Sequence, residues 1–335
     1  MTKPTAGMYL FWGLILGCLA GIGTSFADYD SGRAEVSLAI NNEIYPYREF
    51  ATYVLPNEHL GLCLLAENPG DYRITADTGV IDFIDDCRWI WTADSETGLT
   101  KITVMKDGDE LIALHVFVMI PASRLVDGRI GNSLIGEYPD PLEDSPIYLP
   151  PDGFIEVTTD NIDTPVSPNF VLGQFVTETN GALPKYIVLR ERLLLKLESL
   201  LERLNERGIE AESLAVISAY MTPAFNRSID GGQHSRHIYG GAATVIVDRD
   251  ADGRMDDLDG NGILDNRDGQ FLFDIIDDLY SEPGKEYLRG GLFLYRSDAG
   301  PSVMLDARGF RKRWPNEDEA PPIPENLRAK HKRQF

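Results

Sequence analysis

The stretch from residue 248 to 268, DRDADGRMDDLDGNGILDNRD, offers a side-chain oxygen at almost every second position. Asp248, Asp250, Asp252, Gly253, Asp256 and Asp259 fall at positions 1, 3, 5, 6, 9 and 12 of an EF-hand-type loop, with the Arg254 carbonyl at position 7. A second loop overlaps it, with Asp257, Asp259, Asn261, Gly262, Asp265 and Asp268 in the same positions. Alternating oxygens around a glycine turn are what a hard divalent cation needs, so the pattern predicts calcium in two coupled sites that share Asp257 and Asp259. The twelfth residue is Asp instead of the usual bidentate Glu, which weakens affinity. The plain alternative is an acidic, solvated loop, in which so many unneutralised carboxylates would repel one another.

Directly before this stretch stands a histidine in a glycine turn, SRHIYGGAATVIVD at 235–248. It belongs to an ordered series: SAYMTPAFN at 218–226, this turn, GGLFLY at 290–295 and GPSVMLDARGFRKRW at 300–314. In order and spacing the series resembles the zinc D-alanyl-D-alanine carboxypeptidases, over about residues 135–314. The resemblance implies a hedgehog/DD-peptidase fold and a zinc ion held by three side chains, with an activated water at the fourth position. Position by position, His237 stands at the first zinc-ligand place, Thr244 at the second and Met304 at the third. A neutral hydroxyl is a poor zinc ligand, and a thioether suits copper(I) better.

The substrate loop is altered as well: Met221 stands where the family has arginine and Ala219 where it has glycine. Tyr220, Met221, Ser235, Arg236 and Arg308 occupy the places from which the resemblance implies substrate contact, and Asp306 is a vestigial catalytic position. The losses strike the chemistry while scaffold residues such as Pro223, Gly290, Gly291, Gly309 and Trp314 persist. That combination implies a pseudopeptidase with zinc no longer held. Three alternatives stay open: a rescued site on His234, His237 and Asp306, a copper site on His237 and Met304, and a histidine that merely holds its turn.

These residues must be carried by regular elements. LRERLLLKLESLLERLNERG has leucines at 189, 193, 197, 200, 201 and 204, a helical stripe that Gly208 is placed to end. SLAVISAY reads as a buried strand, QFLFDIIDDLYSEP as a second helix starting near Phe271, and GGLFLY and PSVMLDARG as closing strands. Upstream, seven β-branched or aromatic runs between residues 30 and 125 predict an antiparallel sandwich of the immunoglobulin kind. Trp89 and Trp91 lie two apart and so share its core face, and His115 reads as structural. The fold class expected is α+β: a β-sandwich over 28–125, a Pro/Gly-rich ordered linker over 126–184, a DD-peptidase-like domain over 185–314 carrying the calcium-loop insertion, and a disordered tail over 315–335.

The chain of 335 residues has a formal charge of −22, which argues against a nucleic-acid partner. Residues 1–27 read as an export signal: one charge at Lys3, the apolar run YLFWGLILGCLAGIG, and small residues at Ser25 and Ala27 before Asp28. An uncleaved anchor is the alternative. Export to the periplasm or cell envelope favours a disulfide between Cys63 and Cys87 over two free thiols. The function expected is a peptidoglycan-associated, catalytically inactive binding protein whose partners are stem peptides or an envelope enzyme, with contact to the membrane only through an uncleaved signal. Two other readings remain: an active zinc carboxypeptidase or murein endopeptidase with displaced ligands, and a calcium-stabilised structural or adhesion module.

Overall fold

The computed structural model describes residues 29–41, 43–178, 181–297 and 300–314. The export signal and the tail therefore lie outside the described residues. The chain is α+β and strand-rich. Among the described residues no helix is long and apolar enough to cross a membrane.

The N-terminal part is built from nine strands: β1 (Arg33–Ile40), β2 (Glu43–Tyr47), β3 (Glu49–Val54), β4 (His59–Leu65), β5 (Tyr72–Ala76), β6 (Val80–Asp85), β7 (Arg88–Thr92), β8 (Gly98–Lys106) and β9 (Asp109–Val118). They form a five-stranded sheet, β2-β1-β4-β7-β6, and a four-stranded sheet, β3-β9-β8-β5. All pairs are antiparallel except β3 with β9. Alternate residues such as Leu60, Leu62 and Leu64 are buried, and the inward residues of both sheets join one apolar cluster. Trp89 and Trp91 both point into it, and the Trp91 indole donates to the Thr78 carbonyl at 2.9 Å. His115 contacts Glu49 at 3.0 Å, consistent with a structural role. The two strands beyond the seven expected, β2 and β6, are the edges of the larger sheet. Pro46 is tolerated in β2 because an edge strand has one side without a ladder. In β6 only Ile81 and Asp85 are even half-buried, so it shows no strong alternation.

The segment expected as a linker is knitted to both sides. β10 (Ile120–Pro121), β11 (Gly153–Val157) and β12 (Lys185–Ile187) form a small sheet in that order, and Phe154, Phe170 and Phe175 are fully buried.

Helix α1 (Glu191–Glu206) follows, and the leucines of the predicted stripe are all buried. Gly208, at φ +80°, supplies the left-handed residue just beyond its end. The helix also meets the sandwich: Arg33 pairs with Glu202 at 2.7 Å, Thr52 donates to Glu191 at 3.0 Å, and Arg192 pairs with Glu43.

The C-terminal sheet has the order β13 (Ala215–Ser218), β14 (Ala242–Ile246), β16 (Ser302–Asp306), β15 (Gly291–Tyr295), β17 (Lys312–Arg313), antiparallel except for β15 with β17, and the short helix α2 (Pro223–Ser228) follows β13. Its two faces are chemically different. Ala243, Val245, Leu292, Leu294, Val303 and Leu305 enter the main core with α1 and α3 (Asn266–Leu279), while Ala242, Phe293 and Met304 form a separate cluster under Tyr295 and Trp314. The second face carries the candidate site.

Candidate functional site

Cross-strand register assembles the site. Ser218 on β13, Thr244 on β14, Met304 on β16 and Phe293 on β15 are successive partners across the sheet. Directly paired residues project to the same face, so the four form one row. One step along, Ala242 opposes Asp306. Thr244 is fully buried, and its hydroxyl, like that of Ser218, lacks a hydrogen-bond partner.

The SRHIY segment leads through the glycine turn into β14, and the Met221 amide donates to its His237 carbonyl. Gly240 takes φ +66°, and a β-carbon there would sit 2.2 Å from the Val188 carbonyl oxygen. The buried His237 donates Nδ1–H to the Ala219 carbonyl at 2.6 Å, which leaves Nε2 as its unprotonated nitrogen. Burial pushes its pKa below the ordinary histidine value, only partly offset by the Ala219 bond and the Asp306 charge, so the ring is neutral at pH 7.

Asp306 is fully buried and occupied. Arg308 grips it at 2.6 Å and the Gly291 amide donates to it at 2.8 Å. Burial opposes its charge, but Arg308, Lys196 and the Gly291 amide outweigh burial and hold the carboxyl below its usual range. Gly291 must be glycine here, because a β-carbon would meet the carboxylate at 2.2 Å. Beneath lies Lys196 of α1, fully buried, donating to the Asp306 main-chain carbonyl and to the Tyr280 hydroxyl at 3.1 Å. Burial pushes its amine down to about 7. A stripe search for leucines passes over this lysine, since nothing local distinguishes it from a solvated one.

His234 does not join His237 and Asp306: its ring packs edge-on against Tyr148, at 5.5 Å between centroids. Among the described residues, the groups of three or more metal-ligating acids, histidines or cysteines that converge are both made of aspartates. The groups at the three places that the resemblance assigns to ligands are one imidazole, one neutral hydroxyl and one thioether, a set that does not fit zinc.

The proposed substrate contacts separate. Met221 is buried, and its amide donates to the His237 carbonyl at 3.3 Å. Tyr220 turns to Tyr138, hydroxyl to hydroxyl at 3.0 Å. Tyr220 and Thr222 line a cavity of about 540 Å³ with Leu134, Glu178, Lys185 and Tyr186; His237, Thr244 and Met304 are not part of it. The sequence reading missed this cavity, because its walls come from four separate segments. Ser235 and Arg236 are buried in the turn, and Arg308 is committed to Asp306.

In the acidic insertion, carboxylate oxygens of Asp248, Asp250 and Asp252 lie within 4.8 Å of one another, and so do those of Asp257, Asp259 and Asp268. The other positions of the pattern are used differently. Asp256 pairs with Arg249 at 2.5 Å, Asn261 bonds to Asp259 and to the Ile263 amide, and Asp265 caps α3 by accepting from the Arg267 amide at 2.7 Å. Asp268 is buried in the same capping box and also accepts from the Leu258 amide. The helix therefore starts at Asn266, before the expected Phe271, because Asp265 and Asp268 satisfy its first amides. In the sandwich, the Cys63 and Cys87 sulfurs stand unbonded 3.8 Å apart.

No protein-family model, curated protein or solved structure was found to match this chain.

Proposed function

We propose that the chain is a peptidoglycan-associated, DD-peptidase-like protein of the cell envelope that binds wall peptides and does not cut them. The observation that carries this reading is the pairing of Thr244 with Met304 across β14 and β16, with His237 buried and neutral in the turn that precedes β14. The three places that the resemblance assigns to zinc ligands lie on adjoining elements, yet two of them offer groups that hold zinc poorly. The α1 helix in the core of one sheet face, with the glycine turn leading into β14, supports a hedgehog/DD-peptidase-like fold for residues 185–314. The order β4-β7-β6 in one sheet and β3-β9-β8-β5 in the other, with β3 parallel to β9, supports an immunoglobulin-like sandwich.

In this reading the aspartate insertion is a calcium clip that fastens the segment between His237 and α3, with two groups of three carboxylates as its core. Export into an oxidising compartment pairs Cys63 with Cys87. The deciding experiment incubates the purified protein with cross-linked muropeptides, with and without added zinc. Saturable binding with no hydrolysis is expected; release of free D-alanine or cleavage of the cross-link would replace this reading with an active peptidase.

A second reading, a calcium-stabilised structural or adhesion module, is favoured by the exposed apolar edge of the sandwich. Val80, Phe83 and Ile84 on β6 are 59%, 63% and 49% exposed. Failure to bind any muropeptide, with calcium bound, selects it.

A further inference from the structure

Asn261 stands directly before Gly262 in the acidic insertion, and both residues are exposed. Of the two Asn-Gly pairs in the sequence, at 180–181 and 261–262, this one lies wholly among the described residues. Asparagine followed by glycine carries a chemistry of its own. The glycine nitrogen can attack the side-chain amide carbon, because glycine has no side chain to shield its nitrogen. Here the approach is open: Gly262 takes φ +80°, and a β-carbon on it would meet nothing within 4 Å. Asn161, also tied to its own loop through Thr158 and Glu156, is followed by Ile162 and lacks that freedom.

The fold supplies a partner for each reacting atom. The nucleophile, the Gly262 amide, donates to Asp257 Oδ2 at 2.6 Å. The oxygen that gains negative charge as the new bond forms, Asn261 Oδ1, accepts from the Ile263 amide at 2.8 Å. The leaving nitrogen, Asn261 Nδ2, donates to Asp259 Oδ1. The bond from Ile263 also folds the side chain back over the Gly262 peptide, as in an Asx turn. A base, an oxyanion donor and a contact for the leaving group thus meet at one exposed dipeptide.

We propose that Asn261–Gly262 is a self-modification site that calcium protects. Asp257 takes the Gly262 N–H proton as that nitrogen bonds to Asn261 Cγ. The bond from Cγ to Nδ2 then breaks, and the amine leaves with the proton as ammonia. Water opens the succinimide so formed, to aspartate at one carbonyl and to isoaspartate at the other. The balance is asparagine plus water to acid plus ammonia, with no oxidant and no cofactor.

A cation held by Asp257 and Asp259 draws both carboxylates away from the reacting amides and pins the Asn261 oxygen at its ligand place. This protection rests on the calcium-clip reading above; the reaction itself does not. The product alters the loop. Aspartate adds a charged ligand, whereas isoaspartate lengthens the main chain before Gly262. The insertion thereby keeps a covalent mark of time spent without calcium.

The test incubates the full-length protein at neutral pH with a chelator or with calcium, and follows the tryptic peptide 255–267 by mass spectrometry. A synthetic peptide of the same residues is the reference. In chelator, Asn261 is expected to convert about tenfold faster in the protein than in the peptide, the low end of what a positioned base contributes. Calcium is expected to slow the protein to or below the peptide rate and to leave the peptide unchanged. Asp257→Ala and Gly262→Ala should each slow the chelated protein in the same way. Conversion that outpaces the peptide equally in calcium and in chelator would uphold the modification site and remove its protection, together with the calcium clip. Conversion no faster than in the peptide, a result that needs no variant, would overturn the site.

Discussion

Thr244 and Met304 face each other across β14 and β16, sixty positions apart in sequence and adjacent on one sheet face. Neither side chain is unusual alone. Their juxtaposition sets a neutral hydroxyl and a thioether side by side on one buried sheet face.

Changing Thr244→Asp together with Met304→His should therefore create a three-ligand set with His237. The double variant is expected to retain about one zinc per chain after dialysis, and His237→Ala on that background to release it. Mass spectrometry of bound metal decides the matter. A double variant that folds and takes no zinc would show that the row is not arranged for a metal.

Lys196 makes stability depend on pH in a predictable direction. Its amine titrates at 10.5 in an ordinary environment and at about 7 in the fold, where burial disfavours its charge. Between those values the unfolded chain binds more protons, so the lysine's unfavourable contribution shrinks as pH rises from 7 towards 10.5; below 7 both states are charged and it is present in full. A tenfold difference in proton affinity between the two states corresponds to about 1.4 kcal/mol. Denaturant titration should show the stability of Lys196→Met, relative to wild type, falling by a few kcal/mol between pH 6 and pH 10. A constant difference would mean that the amine is not desolvated.

Calcium should stabilise the insertion. At a hundredfold excess over its dissociation constant, a ligand that binds only the folded state adds about 2.7 kcal/mol. Calcium is expected to raise the melting temperature, chelation to lower it, and Asp250→Asn or Asp259→Asn each to weaken the response. Equal melting curves with calcium and with chelator would leave the insertion a solvated acidic loop.

The Cys63 and Cys87 sulfurs are 3.8 Å apart on residues 24 positions apart, so a small change of side-chain torsion can join them. Protein exported to an oxidising compartment should show no free thiol after denaturation. Cys63→Ser with Cys87→Ser should then cost about 3 kcal/mol, the loop-closure contribution of a bridge this long. Two titratable thiols in the exported protein would refute the bridge.

Gly291→Ala probes the floor of the site, where an added methyl meets the Asp306 carboxylate. A loss of about 1–3 kcal/mol is expected, as for overpacking of a tight interior. Thermal denaturation checks it, and unchanged stability would mean that Asp306 and Arg308 can shift together.

Much of this architecture was legible in the chain itself. Leucines at helical spacing marked α1, short β-branched and aromatic runs marked seven of the nine N-terminal strands, and aspartates at alternate positions marked the acidic loops, because each pattern is local to its own element. Local patterns stop where contacts are made by distant segments. Only the tertiary structure brought Ser218, Thr244, Met304 and Phe293 into one row, since strand register is set by pairing between segments. It also divided the aspartates into two groups of three, with Asp256 turned to Arg249 and Asp265 to a helix cap, because several donors compete for each carboxylate. The burial of Lys196 and Arg236 was decided in the same way: a charge reads as solvated until the fold closes over it, and sequence spacing carries no record of that closure.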